Sequence, residues 1–209
     1  MSHSWASVLG SIRLAVEQAR EELGRLDAAA GDGDLGLTMV AAATAAAELA
    51  DRGELDGKPA GEALRSLGMA IARSAPSTAG TLLARGLLQA SRDAGDQADD
   101  QPVAVAAALV RAGIGGIQKA GKAQPGERTM LDALVPLADA LDNSALRGDG
   151  LAAATASAAV AARAGADSTA QMEAKIGRAS WIPERAKGNV DGGAHAVAVI
   201  AAAIADVFR

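Results

Sequence analysis

The apolar positions of the chain recur with helical spacing along most of its length. Within 5–26, Val8, Ile12 and Val16 fall four residues apart, which is typical of one face of an amphipathic helix. Similar patterns predict helices over 37–50, 60–72, 81–92, 103–120, 131–141, 151–176 (broken after 166) and 194–208. Because no convincing strand alternation lies between them, the pattern predicts about eight helices joined by turns.

Composition narrows the fold class further. Hydrophobic residues form 50% of the 209 positions, while aromatic residues form 1%, so the core must be built from alanine, leucine, valine and isoleucine. Alanine-rich faces favour closely packed helices over sheets. We therefore expect an all-α protein, with 1–209 forming a single up-and-down helical domain.

Charge and residue usage exclude several classes of function. A net charge of -5 argues against a general nucleic-acid binder. The absence of cysteine excludes disulfides, thiolate chemistry and cysteine-rich zinc sites. The first residues lack the features of a signal peptide, and the apolar segment 194–208 is too short to span a bilayer. We expect a cytoplasmic protein without a membrane span.

An acidic loop breaks the helical pattern in LDAAAGDGDLGLTM, residues 26–39. Asp27, Asp32 and Asp34 repel one another there and require a cation, and carboxylate oxygens suit a hard ion such as Mg²⁺. Gly31 and Gly33 permit a turn tight enough to aim the carboxylates at one point. The alternative is that Asp32 and Asp34 cap the following helix. Since capping needs only one carboxylate, the pattern favours a metal site.

Two shorter loops also have the composition of binding segments. Ser77 and Thr78 open a helix, where hydroxyls and free amides bind phosphate, although serine and threonine after a proline are also ordinary caps. The loop GKAQPGERTM, residues 121–130, suits either a pocket edge or a simple connector.

The longest non-periodic segment, 177–193, reads GRASWIPERAKGNVDGG. Arg178, Arg185 and Lys187 are suited to pairing with phosphate, and Trp181 to packing against a ring. The alternative is that these basic side chains are solvated and that the tryptophan anchors the loop to the core. Asp191 opens the last helix.

The order of the helices predicts where the four loops lie. The loops near 31, 77, 125 and 180 follow the first, third, fifth and seventh predicted helices. In an up-and-down arrangement, alternate loops lie at the same end. We therefore expect all four to meet there.

With these loops identified, the sequence resembles the DhaL family, the nucleotide-binding subunit or domain of dihydroxyacetone kinases. The resemblance covers essentially the whole chain. It is carried, in the family's order, by LDAAAGDGDLGLTM, the Ser77-Thr78 turn, GKAQPGERTMLDAL and GRASWIPERAKGNVDGGA. It implies a barrel of eight antiparallel helices that holds Mg-ADP or Mg-ATP at one end.

The resemblance also implies the roles of individual residues. Asp27, Asp32 and Asp34 would hold magnesium, commonly as two ions that bridge the nucleotide phosphates. Asp32, Asp34 and Arg178 would serve catalysis, with Arg178 stabilising charge on the transferring phosphoryl group. The implied nucleotide site consists of Leu35, Gly36, Leu37, Thr38, Ser77, Thr78, Gly121, Met130, Arg178, Asp191, Gly192 and Gly193.

The implied partners follow from the same family. A K-type subunit or domain holds dihydroxyacetone or a related short hydroxyketone through a histidine, and the scarcity of histidine here agrees with that division. The phosphoryl donor is either an exchanging ATP or a fixed ADP, which a phosphohistidine-carrying phosphotransferase-system protein rephosphorylates. We expect no nucleic-acid or membrane partner, and a homodimer stays open.

The chain departs from the family pattern at four places. Leu35 replaces a common histidine, Thr38 a common asparagine and Gly192 a common proline, and Ser77 to Gly80 differs from the usual glycine-serine-glycine turn. These departures leave two alternatives to an L-type kinase subunit. One is a self-sufficient small-molecule kinase, and the other is a nucleotide-binding module that has lost transfer chemistry.

Overall fold

The computed structural model describes residues 4–94, 101–181 and 183–209 and contains no strand within these ranges. Its α-helices are α1 Trp5–Gln18, α2 Arg20–Ala28, α3 Leu35–Asp51, α4 Ala60–Ser74, α5 Thr78–Asp93, α6 Pro102–Gly121, α7 Leu131–Arg147, α8 Leu151–Ser168, α9 Pro183–Ala186 and α10 Gly192–Val207. Two 3-10 turns lie at Thr169–Gln171 and Arg178–Trp181. The all-α prediction is confirmed.

The long helices form a closed ring. Starting from α1, the ring passes through α3, α4, α5, α6, α7, α8 and α10, each helix packing against the next, and α10 packs back against α1. Helix α2 continues the direction of the chain from α1 into the acidic loop, and α9 is a single turn in the connection before α10. The predicted up-and-down barrel is therefore confirmed, with consecutive neighbours running antiparallel.

Small residues allow this ring to close tightly. Alanine supplies most of the buried apolar residues in the described part of the chain. At four glycines an added Cβ would overlap a backbone oxygen of the neighbouring helix: Gly36 against Arg20, Gly61 against Ser91, Gly116 against Arg85, and Gly165 against Asp132. At Gly165, the Asp132 carbonyl also lacks its usual helical hydrogen bond, because Pro136 has no amide to donate to it.

Three predicted boundaries were wrong by more than three residues, and the others agree with the structure to within three residues, as where α5 begins at Thr78 rather than at 81. The first helix is interrupted at Ala19, next to the carbonyl of Arg20 that packs against Gly36. The helix predicted to end at 141 continues to Arg147 and ends at Gly148, whose φ of 73° makes it a typical C-terminal cap. Beyond Ser168 the predicted continuation to 176 is reduced to the 3-10 turn.

One helix in the described ranges, α6, is long and apolar enough to cross a membrane by length and composition. In the structure it packs between α5 and α7, and its residues Ile114 and Ile117 belong to the core. A core helix passes the same test, so α6 is weak evidence for a membrane span.

Replacing Gly165 with alanine is expected to lower the free energy of unfolding by about 2–3 kcal/mol, since the new methyl group would meet backbone rather than a movable side chain. Gly115→Ala in α6 is the matched control, because nothing lies within 4 Å of an added Cβ there. That control should gain up to about 1 kcal/mol from helix propensity. Equal responses in urea unfolding would contradict the close contact.

Candidate active site at one end of the barrel

The structure brings the four chemically suggestive loops together at one end of the barrel. An added Cβ at Gly193 would lie 3.4 Å from Cβ of Met130, and one at Gly192 would lie 3.6 Å from the amide nitrogen of Asp27. A small apolar cavity beside these contacts is lined by Leu35, Met39, Ala79, Leu83, Met130, Gly193, Ala196, Val197 and Ile200. The loops after α2, α4 and α6 and the start of α10 thus adjoin, as the alternation of helices predicts.

The three aspartates of the acidic loop form a cluster. One carboxylate oxygen from each of Asp27, Asp32 and Asp34 lies within 4.8 Å of the others. Asp27 is half-buried at the end of α2, and the other two are exposed. Asp34 occupies the position before α3, yet its side chain accepts no capping hydrogen bond from that helix. The capping alternative therefore does not account for Asp34.

Backbone geometry fixes the Asp27 carboxylate within this cluster. Its Oδ2 accepts hydrogen bonds from the amides of Gly33, at 2.8 Å, and Leu35, at 3.4 Å. Gly33 has a φ of 80°, which favours glycine, and a Cβ at Gly31 would lie 2.5 Å from Oδ1 of Asp27. Both glycines are thus needed for the turn that folds over this carboxylate.

The donor set fits a hard divalent cation. Three carboxylates offer oxygen ligands close enough to share an ion or to hold a pair of ions. Because two of them are exposed on the rim of the barrel, coordination positions stay open to water or phosphate oxygens. Such an ion would also relieve the repulsion among the three negative charges.

The first turn of α3 places its residues differently. The side chain of Leu35 is buried and packs in a cluster with Val16, Leu23 and Met39. Gly36 and Thr38 are also buried, whereas Leu37 is 65% exposed. Of the four residues implied in nucleotide binding here, Leu37 presents its side chain most fully to solvent.

Ser77 has the ordinary capping role at the start of α5. Its hydroxyl accepts a hydrogen bond from the amide of Gly80 at 3.1 Å. Thr78 is the first residue of the helix and is exposed. An added Cβ at Gly80 would overlap the carbonyl of Ala75, so the turn before α5 is too tight for a larger residue.

Asp132, which the sequence did not single out, organises the loop between α6 and α7. This buried carboxylate accepts hydrogen bonds from the amides of Gly126, at 2.5 Å, and Thr129, at 2.7 Å. Gly121 ends α6 against Leu82, and Met130 is buried just before α7. The loop is therefore an ordered part of the site rather than a loose connector.

Arg128, the second missed residue, connects this loop to the segment before α10. The side chain is buried, and its Nη2 donates hydrogen bonds to the carbonyls of Ala186 and Asn189, both at 2.9 Å. The sequence offers only that Arg128 is a basic residue in a glycine- and proline-containing loop and lies within the family-like segment GKAQPGERTMLDAL. Such residues are more often solvated, and the carbonyl acceptors leave no mark on the sequence.

Asp191 caps α10 and is fixed from both sides. Its side chain accepts a hydrogen bond from the Ala194 amide at 2.8 Å, and its own amide donates to Oγ1 of the buried Thr169 at 2.8 Å. Burial raises the pKa of Asp191 to about 6, although the Ala194 bond and the positive charge of Arg128 oppose the shift.

The backbone of Arg178 begins the 3-10 turn Arg178–Trp181 in the same segment. The side chains of Arg178, Trp181 and Arg185 lie outside the described residues. Lys187 is exposed.

The comparisons with known proteins agree with this architecture. The family model for the DAK2 domain matches residues 29–206. The chain belongs to the DAK2 domain family. This confirms the resemblance on which the sequence interpretation rests.

Relatives of this DAK2 domain are larger proteins. The chain is 37% identical to the D-erythrulose kinase of Mycolicibacterium smegmatis over 92% of the chain and 33% of that protein. It is 35% identical to the human triokinase/FMN cyclase over 100% of the chain and 36% of that protein. It therefore spans about a third of the length of these curated relatives.

A solved structure shows the same fold. The dihydroxyacetone kinase from C. freundii in complex with AMP-PNP and Mg²⁺ is similar with a TM-score of 0.75 and 29% identity, over 97% of this chain and 33% of that one. Its native form matches with a TM-score of 0.74 over 96% of this chain.

Two departures of this DAK2 domain from the DhaL pattern contact each other. A Cβ at Gly192 would lie 2.7 Å from Cδ2 of the buried Leu35. Leu35 therefore occupies space that a side chain at position 192 would need. The two positions are therefore coupled by packing in this chain.

The pair predicts a coupled effect on stability. Gly192→Ala is expected to cost about 1–2 kcal/mol because Leu35 must shift within the core. Leu35→Ala opens space, so the alanine at 192 should cost less in that background. A double-mutant cycle by urea unfolding measures the coupling, and additive effects would contradict it.

Asp191 predicts a pH dependence of stability. Its folded pKa of about 6 exceeds the ordinary value of 3.8, so the folded state binds the proton more tightly than the unfolded chain does. The resulting stabilisation is present below about pH 4 and is lost as the pH rises through about 6. Asp191→Asn keeps a capping oxygen and should be more stable than the parent by about 1–3 kcal/mol above that range.

Urea unfolding between about pH 4 and pH 7 measures this difference. Asp206→Asn, an exposed aspartate in the last turn of α10, is the control and should show a nearly constant difference from the parent. A pH-independent difference for Asp191→Asn would refute the raised pKa of Asp191.

Proposed function

We propose that this chain is an L-type kinase domain that transfers a phosphoryl group from a magnesium-bound adenine nucleotide to a short hydroxyketone held by a K-type subunit or domain. The observation that carries the proposal is the cluster of Asp27, Asp32 and Asp34 at the loop end of a DAK2 barrel. The domain is proposed to comprise 1–209 and to act in the cytoplasm.

Asp27, Asp32 and Asp34 are the proposed ligands of one or two magnesium ions. When bound, magnesium neutralises phosphate charge and orients the phosphate oxygens. Asp27 is held ready by the amides of Gly33 and Leu35, so its carboxylate needs little rearrangement. The structure of the C. freundii kinase in complex with AMP-PNP and Mg²⁺ supports magnesium as the ion.

The nucleotide is proposed to lie beside this cluster, where the four loops adjoin. Its proposed contacts are Leu35, Gly36, Leu37, Thr38, Ser77, Thr78, Gly121, Met130, Arg178, Asp191, Gly192 and Gly193. Phosphoryl transfer depends on positioning and charge stabilisation rather than on a protein nucleophile. Arg178 is proposed to stabilise the transferring group, and Asp32 and Asp34 act through the metal.

The acceptor is proposed to be dihydroxyacetone or a related ketose such as erythrulose, since relatives carry the names D-erythrulose kinase and L-erythrulose kinase. His195 is not suited to holding a ketone. Its ring is buried, with Nδ1 3.2 Å from Arg163 and Nε2 3.6 Å from Glu22. The substrate-binding histidine is therefore proposed to lie on a K-type partner rather than at His195.

Asp32→Asn and Asp34→Asn are expected to lower phosphoryl transfer on the order of 100-fold, because each removes charge that holds the metal and its phosphates in place. Transfer from ATP to dihydroxyacetone and to D- and L-erythrulose is measured with and without a K-type partner. Asp206→Asn serves as the matched exposed control, and circular dichroism checks the helical fold. Unchanged transfer in both cluster variants would refute the proposal.

The comparison of transfer with and without a K-type partner distinguishes the remaining candidate functions. Turnover without a K-type partner identifies a self-sufficient kinase, whereas tight Mg-ADP binding without transfer identifies a non-catalytic module. Denaturing the freshly purified protein and measuring released nucleotide and metal separates the donors. One tightly retained ADP per chain indicates rephosphorylation by a phosphohistidine-carrying protein, and reversible Mg-ATP binding indicates exchange.

A further inference from the structure

We propose that Arg128 is a positioning residue for phosphoryl transfer, which locks the segment between Arg178 and Asp191 onto the loop between α6 and α7. The inference rests on the proposed kinase function but names a residue outside the implied nucleotide and metal sites. Its basis is the pair of hydrogen bonds from Arg128 Nη2 to the carbonyls of Ala186 and Asn189.

Burial distinguishes Arg128 from a surface arginine. The residue is 3% exposed, and its Nε has no hydrogen-bond partner within the described residues. A buried guanidinium is costly unless it is paired with acceptors. Its placement therefore requires the two carbonyl acceptors, and the segment that carries them is correspondingly held.

The loop between α6 and α7 is built to present this side chain. Arg128 has a φ of 62°, a left-handed conformation that is uncommon for a residue with a side chain. The buried Asp132 carboxylate constrains this conformation through the amides of Gly126 and Thr129 on either side of Arg128. The arginine is thus fixed at both its backbone and its guanidinium end.

The segment that Arg128 holds connects two proposed parts of the nucleotide site, the turn that begins at Arg178 and the cap residue Asp191. Ala186 and Asn189 follow the 3-10 turn that starts at Arg178 and precede the cap residue Asp191. The same segment makes a second contact with the barrel, because the Gly188 amide donates a hydrogen bond to the Ala170 carbonyl at 3.1 Å. Arg128 also lies close enough to Asp191 for its positive charge to act on that carboxylate.

The two arginines are therefore proposed to have different roles. Arg178 is the proposed contact to the transferring phosphoryl group, and Arg128 sets the position of the backbone that carries it. Transfer depends steeply on such placement, and a misplacement near 1 Å costs about 100-fold in rate. Loss of Arg128 should therefore lower kcat more than it raises KM for the acceptor.

Arg128→Met removes the donors while keeping a long side chain, and Arg128→Lys keeps the charge but not the planar fork. We expect Arg128→Met to lower kcat by about 10- to 100-fold and Arg128→Lys to fall between it and the parent. Arg111→Met is the control, since Arg111 is exposed and pairs with Asp139 and Asp142 between α6 and α7. It should leave kcat unchanged.

A double-mutant cycle with Arg178→Ala tests whether Arg128 acts through that residue. In the Arg178→Ala background, Arg128→Met should change kcat and the Mg-ADP dissociation constant by less than about 3-fold. Trypsin supplies a readout independent of activity. Cleavage after Lys175, Arg178, Arg185 and Lys187 should accelerate in folded Arg128→Met but not in Arg111→Met.

The outcomes separate this inference from the proposed function. Full additivity in the cycle, or an unchanged tryptic pattern in the folded Arg128 variants, would overturn the positioning role. If the parent shows neither transfer nor Mg-nucleotide binding, the kinase proposal fails, and faster cleavage would then show a clamp without the catalytic role. If Arg128→Met does not fold, the same comparisons are made with Arg128→Lys.

Discussion

Direct contact between helix backbones is the constraint on which the barrel depends. A core with so few aromatic residues cannot fill wide gaps between helices, and protein interiors leave few voids. The helices must therefore approach until glycine meets carbonyl, as Gly36 meets Arg20 and Gly165 meets Asp132. Since α2 and α3 bear the acidic loop between them, their contact also sets the distance between Asp27 and the start of α3.

The acidic loop combines structural and chemical roles in one side chain. One oxygen of Asp27 accepts amide hydrogen bonds from Gly33 and Leu35, which hold the carboxylate in place and shape the turn. The same turn brings Asp32 and Asp34 within reach. The carboxylate that shapes the loop is therefore also one of the three that would attract a cation, and the backbone already holds it in place before a cation binds.

Sequence alone was sufficient for the fold class and for part of the site. Helical periodicity located the long helices, and the clustered aspartates and the parity of the loops located one end of the barrel. Arg128, Asp132 and Thr169 were missed because their partners are backbone groups, whose positions no side-chain pattern encodes. The break at Ala19 was missed for a related reason, since it depends on packing against α3 rather than on local propensity.

The positions of the departures from the DhaL pattern indicate how these substitutions would act. Leu35, Thr38 and Gly192 are all buried, whereas Asp32 and Asp34 are exposed on the rim. Substitutions at buried positions act by moving the elements around them. Because Leu35 fills the space left by Gly192, the first turn of α3 and the start of α10 pack directly against each other. We therefore expect these substitutions to alter how tightly a nucleotide is held, while the carboxylates proposed to bind its metal are retained.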